Sequence, residues 1–309
     1  MSKTHVYDMI IVGGGPGGYT AAIYAASAGL DTLVLEKLSA GGQMALSEEI
    51  NNYPGFEEGV DGYTLAEKMQ RQAERLGART VYAEVERMEL AAEPKVLETS
   101  EGVFYARTVA LATGAGPREL GLADEAELVG RGVAYCAACD GMRYRGKTVV
   151  VVGGGNSAAG DALALSRIAE KVILVHRRDK LRATKAYDRP LSQAGNIEFR
   201  WNSAVVELLH GDKLSGVRLR DVNTGEETEL ACDGVFISVG RKPATELVKG
   251  QLELDKNGYI AADETTKTSL PGVYAVGDVR TKALRQVVTA VADGAAAVHM
   301  AEEYLAGGE

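Results

Sequence analysis

Two cysteines three apart, Cys136-Ala137-Ala138-Cys139, followed at once by Asp140, form the most reactive cluster in the sequence. Thiols at this spacing can close and open a disulfide by exchange, and the neighbouring carboxyl could shuttle a proton to or from a thiolate. The same spacing can supply half of a zinc site, which generally wants four ligands. Apart from this pair there are one cysteine, Cys232, and four scattered histidines, with no second half in view, so no metal is expected. Cys232 stands in a strand-like stretch, Glu229 to Gly240, and reads as a small buried residue.

A second chemistry is written twice. Gly13-Gly14-Gly15-Pro16-Gly17-Gly18 and Gly153-Gly154-Gly155-Asn156-Ser157-Ala158 both match G-x-G-x-x-G/A. In this motif the first glycine permits a tight turn, the second lets a pyrophosphate approach the backbone, and the third position must be small for helix and strand to pack. The helix start that follows offers free N–H groups and partial positive charge to phosphates. The residue 23 positions beyond each first glycine (13 to 36, 153 to 176) separates the two loops: Glu36 in one, His176 in the other. A carboxylate there accepts hydrogen bonds from an unmodified ribose and repels a 2′-phosphate, so the first loop suits FAD or NAD. The second has His176-Arg177-Arg178, with Arg182 one turn later if the segment is helical. Guanidinium groups grip phosphate through several charge-assisted bonds, which suits the 2′-phosphate of NADPH. Gly277-Asp278 favours FAD in the first loop, because an acid ending a strand can hydrogen-bond a flavin's polyhydroxyl chain. Such pairs are also common in turns, so spacing alone leaves the choice open.

These motifs need two strand–helix–strand units to hold them. The first reads as strand Asp8 to Val12, helix Tyr19 to Ala28 and strand Thr32 to Glu36; the second as strand Thr148 to Val152, a helix to about Ala169 and strand Lys171 to Val175. Strand-like Val109 to Ala112 running into Thr113-Gly114 carries the chain out of the first unit, and Ile237 to Pro243 brings it back. Gly272 to Asp278 then precedes a helix-like run from Gln286 to about Ala306. The expected fold is therefore α/β, with two Rossmann-like dinucleotide-binding domains, one inserted into the other: 1-116 and 244-309 form one, 117-243 the other.

The bulk properties narrow the field. A chain of 309 residues is long enough for two ordinary cores. A net charge of -9 argues against a nucleic-acid partner, because that binding relies on clustered Lys and Arg. No apolar run reaches the roughly 18 to 20 residues that span a bilayer, so no membrane association is expected. The first residues lack the apolar stretch of a signal peptide, and cysteine usage fits a reducing compartment, so a cytoplasmic location is expected.

Taken together the motifs closely resemble the low-molecular-weight bacterial thioredoxin reductases over nearly the whole chain. The likeness rests on Gly13 to Ala22, Gly41-Gly42-Gln43, Asn52-Tyr53-Pro54-Gly55, Ala112-Thr113-Gly114, Cys136 to Gly141, Gly153 to Ala158, His176-Arg177-Arg178-Asp179 and Val273 to Asp278. The resemblance implies an FAD domain interrupted by an NADPH domain that carries the dithiol, usually in a homodimer, reducing the disulfide of thioredoxin or a thioredoxin-like protein. It implies FAD contacts from Gly13, Gly15, Pro16, Gly18, Glu36, Gly42, Gln43, Asn52, Thr113, Gly114, Gly277 and Asp278, with Arg285, Gln286 and the following helix closing over the flavin. For NADPH it implies Gly153, Gly155, Asn156, Ser157, Ala158, His176, Arg177, Arg178 and Arg182. Cys139 would face the flavin, Cys136 attack the protein substrate, and Asp140 serve as acid-base partner. Ala137-Ala138 stands where Ala-Thr is frequent, and Met142-Arg143 where bulky aromatics often help receive thioredoxin, which bears on partner choice more than on the chemistry. Two other readings compete: a related flavoprotein fed by ferredoxin or another donor, or acting on a small-molecule disulfide, and a non-catalytic nucleotide-sensing module.

Overall fold

The computed structural model describes residues 5–47 and 49–307. The chain divides into two compact units, Met1–Gly116 with Lys242–Glu309, and Pro117–Arg241.

In the first unit, parallel strands Arg79–Tyr82, Thr32–Glu36, Val6–Val12 and Gly102–Leu111 lie side by side in that order. The far edge of Gly102–Leu111 is shared: its first half pairs antiparallel with Lys95–Thr99, its second half parallel with Val273–Ala275. Strand Val85–Glu89 extends the antiparallel side. Both faces of the sheet are covered, which is why its strands read as nearly continuous apolar runs. Met9, Ile11, Val34, Ala110 and Tyr274 pack beneath helices Pro16–Ser27 and Val287–Leu305, while Ile10, Val12, Leu33, Leu35 and Leu111 face Met88, Leu97, Leu252 and Ile260. The two helices carry small residues because they touch: a Cβ on Gly294 would meet the Gly17 carbonyl oxygen and lie 2.8 Å from the Ala21 nitrogen.

In the second unit, a parallel sheet runs in the order Ile197–Arg200, Lys171–Val175, Thr148–Val152, Gly234–Ile237, Val133–Ala134. One face packs on helices Asn156–Ser166 and Asp188–Gln193 through Ala158, Ala162, Leu165 and Leu191. The other is covered by an antiparallel meander, Ser203–His210, Leu214–Asp221 and Glu227–Ala231, whose Val205, Leu208, Val217 and Leu219 face Val150, Val152, Ile173 and Val175.

Strands Thr32–Glu36, Thr148–Val152 and Lys171–Val175 form at the expected bounds. The stretch from Glu229 to Gly240 is not one strand. It breaks at Cys232-Asp233, where Asp233 exchanges hydrogen bonds with Thr148 and the chain passes from the meander into the parallel sheet. Each unit clasps its end of the connecting passages: Ala244 donates to the Gly114 carbonyl in the first, and Arg118 donates to the carbonyls of Gly240 and Arg241 in the second. Among the described residues no helix is long and apolar enough to cross a membrane.

Candidate functional site

The dithiol lies at the end of a two-residue strand. Val133–Ala134 pairs with Val235 and Phe236, the chain bends at Tyr135, and Cys136 is extended before the short helix Ala137–Asp140. Cys136 and Cys139 are joined in a disulfide. The backbone N–H of Cys139 points at the Cys136 sulfur at 3.2 Å, and those of Cys139 and Asp140 reach the Cys136 carbonyl at 3.2 and 3.0 Å. An amide aimed at a sulfur favours negative charge there, so the geometry singles out Cys136 as the better-stabilised thiolate when the bond opens. Beyond the turn, Tyr144 fixes the chain by filling the space that a side chain at Gly234 would need and by packing edge-on to Phe236 at 5.1 Å. Cys136, Cys139 and Asp140 are all half-buried, and Met142 is exposed. Cys232 is buried, and burial followed by the nearby Asp233 pushes its thiol up to about 12, so it is chemically quiet. No grouping of three or more metal-binding side chains occurs among the described residues.

The first glycine loop sits at the carboxyl ends of the parallel strands, where open α/β sheets bind ligands. Gly13 takes φ +104°, and a Cβ there would lie 2.5 Å from the Ala112 carbonyl oxygen. A Cβ on Gly18 would strike the Gly13 carbonyl, whereas Gly15 has no atom within 4 Å of where its Cβ would be. Pro16 occupies the first turn of the helix, where its missing N–H costs nothing. Glu36 receives the Gly14 N–H at 2.5 Å and the Leu38 N–H at 3.3 Å. Gly41 donates to the Gly14 carbonyl at 2.7 Å, which brings exposed Gly42 and Gln43 against the loop. Gly114, at φ +72°, also faces open space, and Thr113 donates to the Ala244 carbonyl at 2.8 Å. Val276, Gly277 and Ala290 close the other side: a Cβ on Gly17 would lie 2.6 Å from Val276 and 3.0 Å from the Ala290 carbonyl. Asn52 donates to the Gln286 side chain at 2.9 Å, at the residue that starts the last helix.

That helix does not follow Asp278 directly. It begins at Val287, after a turn held by Arg285, whose guanidinium stacks 4.0 Å over Tyr259 and donates to the carbonyls of Asp278, Arg280 and Lys282. The organiser of this turn is Asp293, which the sequence reading passes over. Its buried carboxylate receives Gly277 N–H at 2.8 Å, Arg280 at 2.7 and 2.9 Å, and Lys282 at 2.7 Å. Burial alone would raise the Asp293 carboxyl, but the bonds from Arg280 and Lys282 outweigh it and hold the group below its ordinary value. An acid set among the small apolar residues of the first half of this helix is the available signal.

The second loop repeats the backbone with other side chains. Gly153 is at φ +155°, and a Cβ there would lie 2.5 Å from the Ser238 carbonyl and 2.7 Å from Ala158 Cβ; Gly155 again faces open space. Asn156 caps the returning chain by accepting the Thr184 N–H at 2.8 Å, and Ser157 is exposed at the helix start. His176 is buried beneath the loop, its ring in the place a Gly154 side chain would take, with Nε2 unpartnered. Burial first, then Arg182, Arg178 and Arg177, hold the imidazole below its ordinary value. Residues 177–182 are not helical, so Arg182 does not arrive by a helical turn; its N–H donates to the Gly154 carbonyl at 2.6 Å and the chain folds back onto the loop. All three arginines are exposed around this point. Behind Gly153, Ser238 donates to Asp161 at 2.5 Å, and burial raises the Asp161 carboxyl despite Ser238 and Arg241.

Each loop thus offers a glycine with open space above it, at a helix start whose N–H groups are free, and the donor sets fit two dinucleotides. Glu36 and the segments 41–43, 113–114 and 277–278 surround the first; three guanidinium groups surround the second.

The sequence matches the pyridine nucleotide-disulphide oxidoreductase family over residues 7–294. It is 44% identical to the thioredoxin reductase of Treponema pallidum, covering 97% of both chains, and 45% identical to that of Streptomyces clavuligerus, covering 97% of this chain and 94% of the other. The crystal structure of thioredoxin reductase from Streptococcus pyogenes superimposes with a TM-score of 0.89 at 42% identity, covering 97% of this chain and 98% of that one.

Proposed function

Because the chain belongs to the pyridine nucleotide-disulphide oxidoreductase family, we propose that it is a thioredoxin reductase, passing electrons from NADPH through FAD to Cys136–Cys139 and on to a thioredoxin disulfide. The observation that carries this reading is the disulfide-bonded pair on the same unit as the arginine-flanked glycine loop. FAD is held by the split unit, 1-116 with 244-309, at Gly13, Gly15, Pro16, Gly18, Glu36, Gly42, Gln43, Asn52, Thr113, Gly114, Gly277 and Asp278, with Arg285 and Gln286 beside it. NADPH is held by 117-243 at Gly153, Gly155, Asn156, Ser157 and Ala158, with Arg177, Arg178 and Arg182 at the 2′-phosphate and the His176 ring supporting the loop from beneath. When bound, FAD supplies the two-electron exchange between nicotinamide and disulfide that no side chain provides.

The protein's own sulfur chemistry follows from the turn. Once the Cys136–Cys139 bond is reduced, Cys136 attacks one sulfur of the thioredoxin disulfide, and the other sulfur leaves as a thiolate and is protonated. Cys139 then attacks the Cys136 sulfur, which re-forms the internal bond and releases the second thioredoxin thiolate, also protonated. Two electrons and two protons reach thioredoxin. Asp140, next to Cys139 in the short helix, carries those protons. The protein works as a homodimer in the cytoplasm, and its partner is thioredoxin or a protein of that fold.

Cys136→Ser in the FAD-loaded protein tests the assignment. Thioredoxin-dependent oxidation of NADPH is expected to fall at least about a thousandfold, while NADPH still bleaches the yellow colour under anaerobic conditions. Unchanged turnover would show that Cys136 is not the attacking sulfur.

A further inference from the structure

Glu125 is a buried acid that the reaction above does not use, only 3% exposed. Its two oxygens accept four hydrogen bonds: Leu120 N–H at 3.0 Å and the Tyr135 hydroxyl at 2.7 Å on Oε1, Gly121 N–H at 2.9 Å and Leu122 N–H at 3.2 Å on Oε2. Three of these donors belong to the turn just before Glu125 in sequence, and the fourth belongs to the residue immediately before Cys136. A buried carboxylate satisfied by four neutral donors is rigid, because each donor lost would leave a lone pair unmatched out of water.

The dithiol needs such a hold in one redox state more than the other. In the oxidised protein Cys136 is tied to Cys139 by a covalent bond. In the reduced protein that tie is gone. What remains upstream is a strand of two residues, Val133–Ala134, and the Tyr135 side chain. We propose that Glu125 and Tyr135 are positioning residues that keep Cys136 in its disulfide-forming place while the dithiol is reduced. The clamp raises the effective concentration of one thiol at the other and so favours closure. Only the role given to Cys136 rests on the function proposed above; the clamp itself concerns the stability of the disulfide.

The test is the equilibrium of the Cys136–Cys139 disulfide in the FAD-loaded protein against a glutathione redox buffer, read by alkylation of the free thiols. Tyr135→Phe, which deletes one oxygen, is expected to lower the constant for closing the disulfide about tenfold, about 30 mV for this two-electron couple. Glu125→Gln is expected to move it in the same direction. Thioredoxin turnover should drop while NADPH oxidation with ferricyanide, an acceptor that needs no dithiol, stays as in the parent protein. Asp124→Asn removes a charge from the same turn, where Asp124 meets His210 at 3.3 Å, and should leave the constant unchanged. The proposal is overturned if Tyr135→Phe shifts the constant less than about twofold, or if Asp124→Asn shifts it equally. The equilibrium requires no turnover, so absence of thioredoxin reduction in the parent protein would count against the function and not against the clamp.

Discussion

The two glycine loops have the same backbone course and the same open space above their second motif glycine, yet they are held from below in different ways. In the first, Glu36 closes a hydrogen bond with Gly14 and another with Leu38, so the acid is part of the loop's own framework. In the second, the ring of His176 lies under Gly154 with one nitrogen unpartnered, and the chain beyond it supplies three exposed guanidinium groups. The closeness of helix to strand also differs. At the third motif position Gly18 leaves no room for a methyl group, whereas Ala158 already carries one. One framework therefore carries two ligand preferences, set by a few side chains at the end of its second strand.

The packing contrast gives the largest expected effect. Gly18→Ala would drive a methyl into the Gly13 carbonyl and against Ala112, and should destabilise the protein by about 3 kcal/mol and loosen its flavin. The reverse change in the other loop, Ala158→Gly, should cost about 1 kcal/mol, mainly helix propensity. Urea unfolding of both variants checks this, and equal costs would remove the distinction between the loops.

The charge contrast gives a smaller effect that depends on pH. His176 has its folded pKa below the ordinary value near 6.5, so in the window beneath about pH 6.5 the unfolded chain binds a proton that the folded one refuses. Stability from this group is complete above that pH and is lost as pH falls through it. His176→Gln should flatten the decline in unfolding free energy as pH falls below about 6.5, whereas an unaltered slope would show that the histidine titrates normally in the fold.

Much of this arrangement is legible in the amino-acid sequence. Strands Thr32–Glu36, Thr148–Val152 and Lys171–Val175 are short, apolar and bounded by glycine or charge, so local pattern suffices to place them. The cysteine pair is legible because both partners lie within four residues. What escapes is any contact whose partners are far apart or whose types are ordinary. Gln251 secures Leu90 and Met88 across the first unit, and nothing in its surroundings announces it. Asp293 meets Arg280 and Lys282 across a turn that periodicity cannot predict, and Glu125 meets Tyr135 across a loop in which Asp124 adopts φ +61°. A helix after His176 would bring Arg182 one turn beyond the other arginines, but the bond from Arg182 to Gly154 folds the chain back instead. Tertiary hydrogen bonds override local propensity there.

The most direct measurement is kcat/KM for thioredoxin reduction driven by NADPH and by NADH, in the parent protein and in one carrying Arg177→Ala and Arg178→Ala. The parent should favour NADPH by about a hundredfold, and the variant should lose about tenfold or more of that preference through a weaker response to NADPH, with NADH unaffected. Equal use of the two nucleotides by the parent, or no thioredoxin reduction with either, would contradict the relay from NADPH to the Cys136–Cys139 dithiol.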